Sequence, residues 1–147
     1  MSTLFDLSGR VAVVSGAARG MGRAMALALA EHGADLLLVD RSADGLTQTA
    51  SDITKLGRRA VKAECDVANL EQIFELFARL DREFGRIDFL GNGAGEGVLA
   101  PPEELTIEQL RRTLDNLVIG RFSMCQQAGR RMIAAGRGPS RSSHSSR

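Results

Sequence analysis

Residues 15–22 read Ser-Gly-Ala-Ala-Arg-Gly-Met-Gly, a combination of residue types and spacing that could hold the phosphates of a dinucleotide. Gly16 permits a tight turn, Gly20 lets the backbone approach a pyrophosphate, and Gly22 lets a following helix pack against the preceding strand. The N–H groups and the positive dipole end of that helix would face the phosphates. The chain contains 16 glycines, so the triplet is informative only between a strand and a helix. The other candidate contacts in this turn are Ser15, Arg19 and Met21.

An acidic residue, Asp40, follows 18 residues after Gly22 at the predicted end of a second strand. That distance is typical of the carboxylate that accepts hydrogen bonds from the adenosine ribose in dinucleotide-binding proteins. The alternative is a solvated aspartate at a strand end with no ligand. We favour ribose binding because the glycine turn belongs to the same strand-helix-strand unit.

The glycine turn is flanked by the two elements that such a site needs. Residues 11–14 form a short apolar run rich in β-branched side chains, as in strands buried on both faces. After the turn, apolar residues at helical spacing predict a helix over 21–32 that ends at Gly33. Its predicted apolar face consists of Met21, Ala24, Met25, Ala28 and Leu29.

The rest of the chain alternates strands with helices. Strands are predicted over 34–40, 61–66 and 87–90. Helices are predicted to begin after Ser42, Asn69 and Thr106 and to end near residues 57, 85 and 135, with capping-box partners Gln72 and Gln109 for the last two. This alternation predicts an α/β fold, a Rossmann-like doubly wound parallel sheet of about four strands in the order 3-2-1-4 with helices on both faces.

The composition argues against several classes of partner. The 147 residues carry a net charge of +1, so neither nucleic acid nor a membrane surface is expected to bind. Charged residues interrupt every apolar stretch and the start lacks a signal-peptide pattern, which predicts a cytoplasmic protein. Cys65 and Cys125 lack metal-ligand spacing and are expected to be buried, reduced thiols.

Taken in order, these motifs make the chain resemble the classical short-chain dehydrogenase/reductase family over roughly residues 5–135. Residues 15–22 match its TGxxxGxG pattern, with serine in place of threonine. The segment 92–95 is similar to the family's NNAG turn, with Gly93 in place of the second asparagine. The resemblance implies that Asp66 and Val67 hold the adenine ring and that Asn92, Ala94 and Gly95 lie beside the cofactor.

The resemblance implies a nicotinamide dinucleotide as cofactor, and Asp40 favours NAD over NADP because its carboxylate would repel a 2′-phosphate. Arg19 and Arg41 favour NADP instead, since an arginine near the adenosine ribose could pair with the 2′-phosphate. NAD is the predicted cofactor and NADP the alternative.

Hydride transfer in this family requires a tyrosine, a lysine four residues later and a serine, of which the tyrosine exchanges a proton with the substrate oxygen. The sequence contains no tyrosine, and its two lysines, Lys55 and Lys62, lie far upstream of the expected place. Of the family's catalytic group only Asn116 remains, and in isolation we favour a structural role in the helix over a catalytic one. We therefore expect the nucleotide-binding half of an alcohol or ketone oxidoreductase, with weak NAD binding and no turnover.

Two alternatives remain open. The chain could be part of a working NAD-dependent oxidoreductase whose other half is supplied elsewhere, or a non-catalytic module that pairs with an intact homologue. The fourth strand and the last helix would be left partly uncovered, which favours self-association into a homo-oligomer.

The Ser/Arg-rich residues 136–147 lack apolar anchors and are predicted to be a disordered tail after a domain over 1–135. Because the family continues with a strand there, a shifted reading frame is our hypothesis for this tail.

Overall fold

The computed structural model describes residues 3–136, which form a four-stranded parallel sheet between two layers of helices. The strands are β1 (Val11–Ser15), β2 (Asp35–Asp40), β3 (Ala60–Glu64) and β4 (Phe89–Asn92). The α-helices are α1 (Gly20–Glu31), α2 (Ala43–Lys55), α3 (Leu70–Glu83), α4 (Ile107–Leu114) and α5 (Arg121–Ala134). The sheet order is β3-β2-β1-β4, which confirms the predicted order. The predicted tail, residues 137–147, lies outside the described residues.

Alternate side chains of the central strands enter two separate cores. Val11 and Val13 of β1 point toward α3 and α5, where they meet Phe77 and Met124. Ala12 and Val14 point to the other face, against α1 and α2. A parallel sheet covered on both faces needs apolar residues at successive positions, which explains the continuous apolar runs of β1 and β2.

The buried face of α1 differs from the predicted one. The helix buries Gly22, Ala26 and Ala30, whereas Met21 is 87% exposed. Small residues face the sheet because the helix starts in close contact with the end of β1. The predicted face is therefore rotated from the observed one, since Met25 and Leu29 pack against the core but are only partly buried. Ala24 and Ala28, from the same predicted face, are also exposed.

Helix caps follow the prediction at most positions. The side chains of Ser42 and Asn69 accept hydrogen bonds from the first turns of α2 and α3. Thr106 forms the predicted capping box with Gln109. The box predicted at Gln72 does not form, because the Gln72 side chain accepts a hydrogen bond from the Asp66 N–H at 2.7 Å. Cys65 is buried as expected, but Cys125 is exposed on α5.

The long final helix is not uniform. A π-helical segment, Asp115–Gly120, separates α4 from α5. A Cβ atom at Gly120 would overlap the carbonyl oxygen of Val67, so this segment lies directly against the loop after β3. A 3.6-residue periodicity contains no signal for such a segment, and the sequence therefore predicted one continuous helix.

One face of the last helical region has no cover in the described part of the chain. Leu110, Leu114, Val118 and Phe122 recur every four residues from α4 into α5 and are 41–65% exposed. We call these four side chains the apolar stripe. β4 lies at the edge of the sheet beside β1. Within residues 3–136, no helix combines the length and the apolar content needed to cross a membrane.

Asp88 fixes the edge strand β4 to β1. Its carboxylate accepts a hydrogen bond from the Val11 N–H at 2.9 Å, and its N–H donates to the Val11 carbonyl at 2.8 Å. The Arg86 guanidinium binds the same carboxylate at 2.7 and 2.8 Å, and Arg10 approaches it to 3.3 Å. Burial raises the pKa of Asp88, but the Arg86 and Val11 hydrogen bonds outweigh it and lower the pKa from 3.8 to about 2.

We expect the Asp88 carboxylate to make stability depend on pH. Its pKa is lower in the folded state, so its contribution is complete above about pH 4 and is lost as the pH falls toward 2. The shift corresponds to about 2 kcal/mol. Urea unfolding of wild type and Asp88→Asn should differ by about that amount at pH 7 and converge near pH 2. A difference independent of pH would contradict the assignment.

Candidate functional site

The carboxyl ends of the four strands surround a cleft of about 250 Å³. It lies where the strand order reverses between β1 and β4, the usual position for ligands in open α/β sheets. The glycine turn contributes Gly16, Arg19, Gly20, Met21 and Gly22 to its lining. The segments after the other strands contribute Asp40, Arg41, Asp66, Val67, Ala94 and Gly95. Asn116 lines the same cleft, whereas Ser15 and Asn92 do not.

The glycine turn places backbone against backbone. Gly16 has φ of 74°, and a Cβ there would lie 2.8 Å from the carbonyl carbon of Gly93. A Cβ at Gly22 would overlap the Gly16 carbonyl oxygen. At Gly20 a Cβ would meet nothing within 4 Å, so the open space there faces the cleft. The turn thus contacts the sheet at Gly16 and Gly22 and leaves its outer side accessible.

The first turn of α1 has no side-chain cap. Arg19 occupies the N-cap position and makes no side-chain hydrogen bond to the helix. The N–H groups at a helix start lack intrahelical acceptors and attract anions, helped by the helix dipole. Together with the open space at Gly20, this arrangement fits a pyrophosphate.

Ser15 and Asn92 lie beneath the cleft and hold its floor. The fully buried Ser15 hydroxyl donates to Asn92 Oδ1 at 3.3 Å and accepts from the Ala94 N–H at 3.1 Å. Asn92 Nδ2 donates to the Arg121 carbonyl at 3.0 Å, which connects β4 to the start of α5. These two predicted contacts therefore position the loop after β4, and they do not line the cleft themselves.

Asp40 is held in a fixed orientation at the end of β2. Its Oδ2 accepts a hydrogen bond from the Ala18 N–H and its Oδ1 from the Ser42 N–H, both at 3.1 Å. Each carboxylate oxygen retains a further lone pair for another donor, such as a ribose hydroxyl. The carboxylate therefore fits the role that its spacing from the glycine turn predicted.

An ion pair at this site was not predicted from the sequence. Arg41, after β2, binds Glu96, in the loop after β4, at 2.9 Å. The hydrogen bond and the charge of Glu96 raise the pKa of Arg41. The two residues are 55 positions apart and share no motif, so only the fold brings them together.

The remaining side of the cleft is formed after β3 and by the π-helical segment. Asp66 Oδ1 accepts the Ala68 N–H at 3.0 Å. Burial raises the pKa of the Cys65 thiol to about 11, so it remains protonated at neutral pH. Asn116 is buried, and its Nδ2 donates to the Arg112 carbonyl at 3.0 Å within the helix.

Comparisons with known proteins agree with this geometry. The family model described as short chain dehydrogenase matches residues 10–139. A D-threitol dehydrogenase from Mycolicibacterium smegmatis is 42% identical over 136 residues, covering 91% of this chain and 52% of that protein. The chain thus spans about half the length of the curated relatives it matches.

Two solved structures show the same fold with cofactors bound. An L-sorbose reductase from Gluconobacter frateurii, complexed with NADPH and L-sorbose, has a TM-score of 0.85 and 31% identity. A xylitol dehydrogenase bound to NAD⁺ has a TM-score of 0.85 and 33% identity. Each match covers 90% of this chain and 51% of the other.

We expect Gly22→Ala to destabilise the fold by about 1–3 kcal/mol, because the new methyl group must displace the Gly16 backbone. Gly129→Ala is the matched control, since Gly129 lies within α5 and a Cβ there would meet nothing within 4 Å. That control should be stabilising by up to about 1 kcal/mol. Urea unfolding measures both, and similar changes in the two variants would contradict the close contact.

Proposed function

The chain belongs to the short-chain dehydrogenase family, and we propose that it binds the adenosine and pyrophosphate parts of NAD in the cleft at the carboxyl ends of its strands. One observation carries this proposal: the uncapped start of α1 and the Asp40 carboxylate line the same cleft. The first would bind the pyrophosphate and the second the adenosine ribose. Asp66 and Val67 would flank the adenine. Gly95 and Asn116 would line the end of the cleft that lies farthest from the adenine.

NAD is the proposed cofactor, because Asp40 would repel the 2′-phosphate of NADP. The similar structures include one bound to NADPH and one bound to NAD⁺, so the family membership alone favours neither. Arg19 and Arg41 line the same cleft and are the residues that could attract a 2′-phosphate.

For the complete enzyme we propose hydride transfer between the nicotinamide and an alcohol or ketone. The relatives include enzymes named for threitol, sorbose and xylitol, which supports a polyhydroxylated substrate. The 147 residues contain no tyrosine to exchange a proton with the substrate oxygen, so we propose weak NAD binding without turnover by this chain. Asn116 would then only shape the cleft.

A cytoplasmic location is part of the same proposal. Cys65 and Cys125 are both free thiols, which suits a reducing compartment.

We expect millimolar NAD to raise the thermal midpoint of the wild-type chain, as ligand binding to the folded state requires. Asp40→Asn removes the charged acceptor, together with one of its two backbone hydrogen bonds, and should weaken NAD binding by about tenfold. Asp44→Asn is the control, because Asp44 is an exposed residue in the first turn of α2 and does not line the cleft. Calorimetric titration with NAD measures the affinity of the wild type and of the two variants. Equal affinities for the two variants would argue against ribose binding by Asp40.

A second candidate function is association through the apolar stripe, either with another copy of this chain or with an intact homologue. It is supported by the four exposed side chains of the stripe, which recur along one helix face. An apolar hollow of about 440 Å³ beside β4, lined by Leu7, Leu29 and Phe89 among others, lies near the uncovered edge of the sheet. The apolar stripe would lose contact with water in such a complex.

We expect Phe122→Glu to shift the purified chain toward the monomer in sedimentation velocity, because it places a charge on the stripe. Phe122 is 65% exposed, so the substitution should leave the fold intact. Leu99→Glu is the control, since Leu99 is 102% exposed and lies outside the stripe. A wild-type chain that is monomeric at high concentration, and that captures no full-length homologue when the two are mixed, would exclude this candidate.

A further inference from the structure

Arg41 and Glu96 join the two sides of the cleft. Arg41 follows Asp40 at the end of β2, and Glu96 lies in the loop after β4, beyond the intervening strand β1. Their side chains meet at 2.9 Å, with 47% and 55% of the side-chain surface still exposed. The ion pair is therefore at the surface, where a ligand or a substitution can alter it without repacking the core.

We propose that Glu96 is a specificity-determining residue that favours NAD by occupying the guanidinium of Arg41, the group that would otherwise pair with the 2′-phosphate of NADP. The inference rests on the proposed binding of a dinucleotide in this cleft. An arginine beside the ribose binds a phosphate strongly only if its N–H groups are available. Here a carboxylate already holds one end of the guanidinium.

The charges around the cleft support this role. The charged residues that line it are Arg19, Arg41, Asp40, Asp66 and Glu96, two cations and three anions. The charges of Asp66 and Asp40 also raise the pKa of Arg41, by less than Glu96 does. A 2′-phosphate adds negative charge to a site that is already negative overall, and this repulsion disfavours NADP. Neutralising Glu96 would make the lining electrically balanced.

The Glu96 carboxylate supports fewer contacts within the protein than the Asp40 carboxylate does. Each Asp40 carboxylate oxygen accepts a backbone N–H, so replacing Asp40 also disturbs the turn. In the described part of the chain, the Glu96 side chain makes one hydrogen bond, which is to Arg41. The charge of Glu96 can therefore be removed with little effect on the local fold, and its effect on cofactor choice can be measured separately.

The test is calorimetric titration of the full chain with NAD and with NADP at low ionic strength. Glu96→Gln keeps the size of the side chain and removes its charge. We expect NADP binding to tighten by about fivefold and NAD binding to change by less than about twofold. The gain should shrink as salt is added, since these charges are exposed. Glu103→Gln, an exposed glutamate outside the cleft, is the control and should change neither affinity.

The same substitution made in an Arg41→Gln variant shows whether Arg41 mediates the gain in NADP binding. In Arg41→Gln, the further substitution Glu96→Gln should no longer improve NADP binding, because the phosphate-binding group is gone. If wild type binds neither dinucleotide, the proposed function fails and this inference with it. If wild type binds NAD, the inference is overturned when Glu96→Gln leaves NADP affinity unchanged, improves both cofactors equally, or acts equally well without Arg41.

Discussion

The direct contact between the start of α1 and the end of β1 is the constraint on which the site depends. At Gly22 the helix approaches the Gly16 carbonyl so closely that no side chain fits between them. Gly16 in turn contacts the backbone of Gly93 after β4. Three backbone segments therefore meet without intervening side chains, and the uncapped N–H groups of α1 lie at the cleft. A larger residue at Gly16 or Gly22 would separate the helix from the sheet and move its start.

Local patterns in the sequence predicted some parts of the structure and missed others. Short apolar runs, glycines and caps indicated the strands, their order and the residues that meet at their carboxyl ends, because parallel strands bring those ends together. The buried face of α1 could not be read from spacing, since contact with β1 selects small residues such as Ala26 and Ala30. The π-helical segment and the Arg41–Glu96 pair depend on the packing of segments far apart in the sequence, for which local patterns contain no signal.

The two ends of the β1–β4 pair have different roles. At the amino end, Asp88 is bound by the Val11 N–H and by arginines, which fixes a short edge strand in register. At the carboxyl end, the buried Ser15 hydroxyl connects Asn92 to the Ala94 N–H. Polar contacts thus close one end of the pair and support the cleft at the other. β4 has only four residues, so these polar contacts add to a short run of backbone pairing with β1.

The residues proposed to bind the nucleotide and the surface where a substrate would be held lie on different sides of β4. The proposed pyrophosphate, ribose and adenine positions are lined by residues at or just after the carboxyl ends of β1, β2 and β3, all within the part of the chain that matches the relatives. On the far side of β4, the described residues end in an uncovered sheet edge and the apolar stripe. In the proposed binding mode, contacts to the adenosine half need nothing from that side, whereas a substrate held against a nicotinamide would need groups there. The proposed adenosine contacts can therefore form without a substrate site, which is why binding without turnover is the consistent proposal for the described residues.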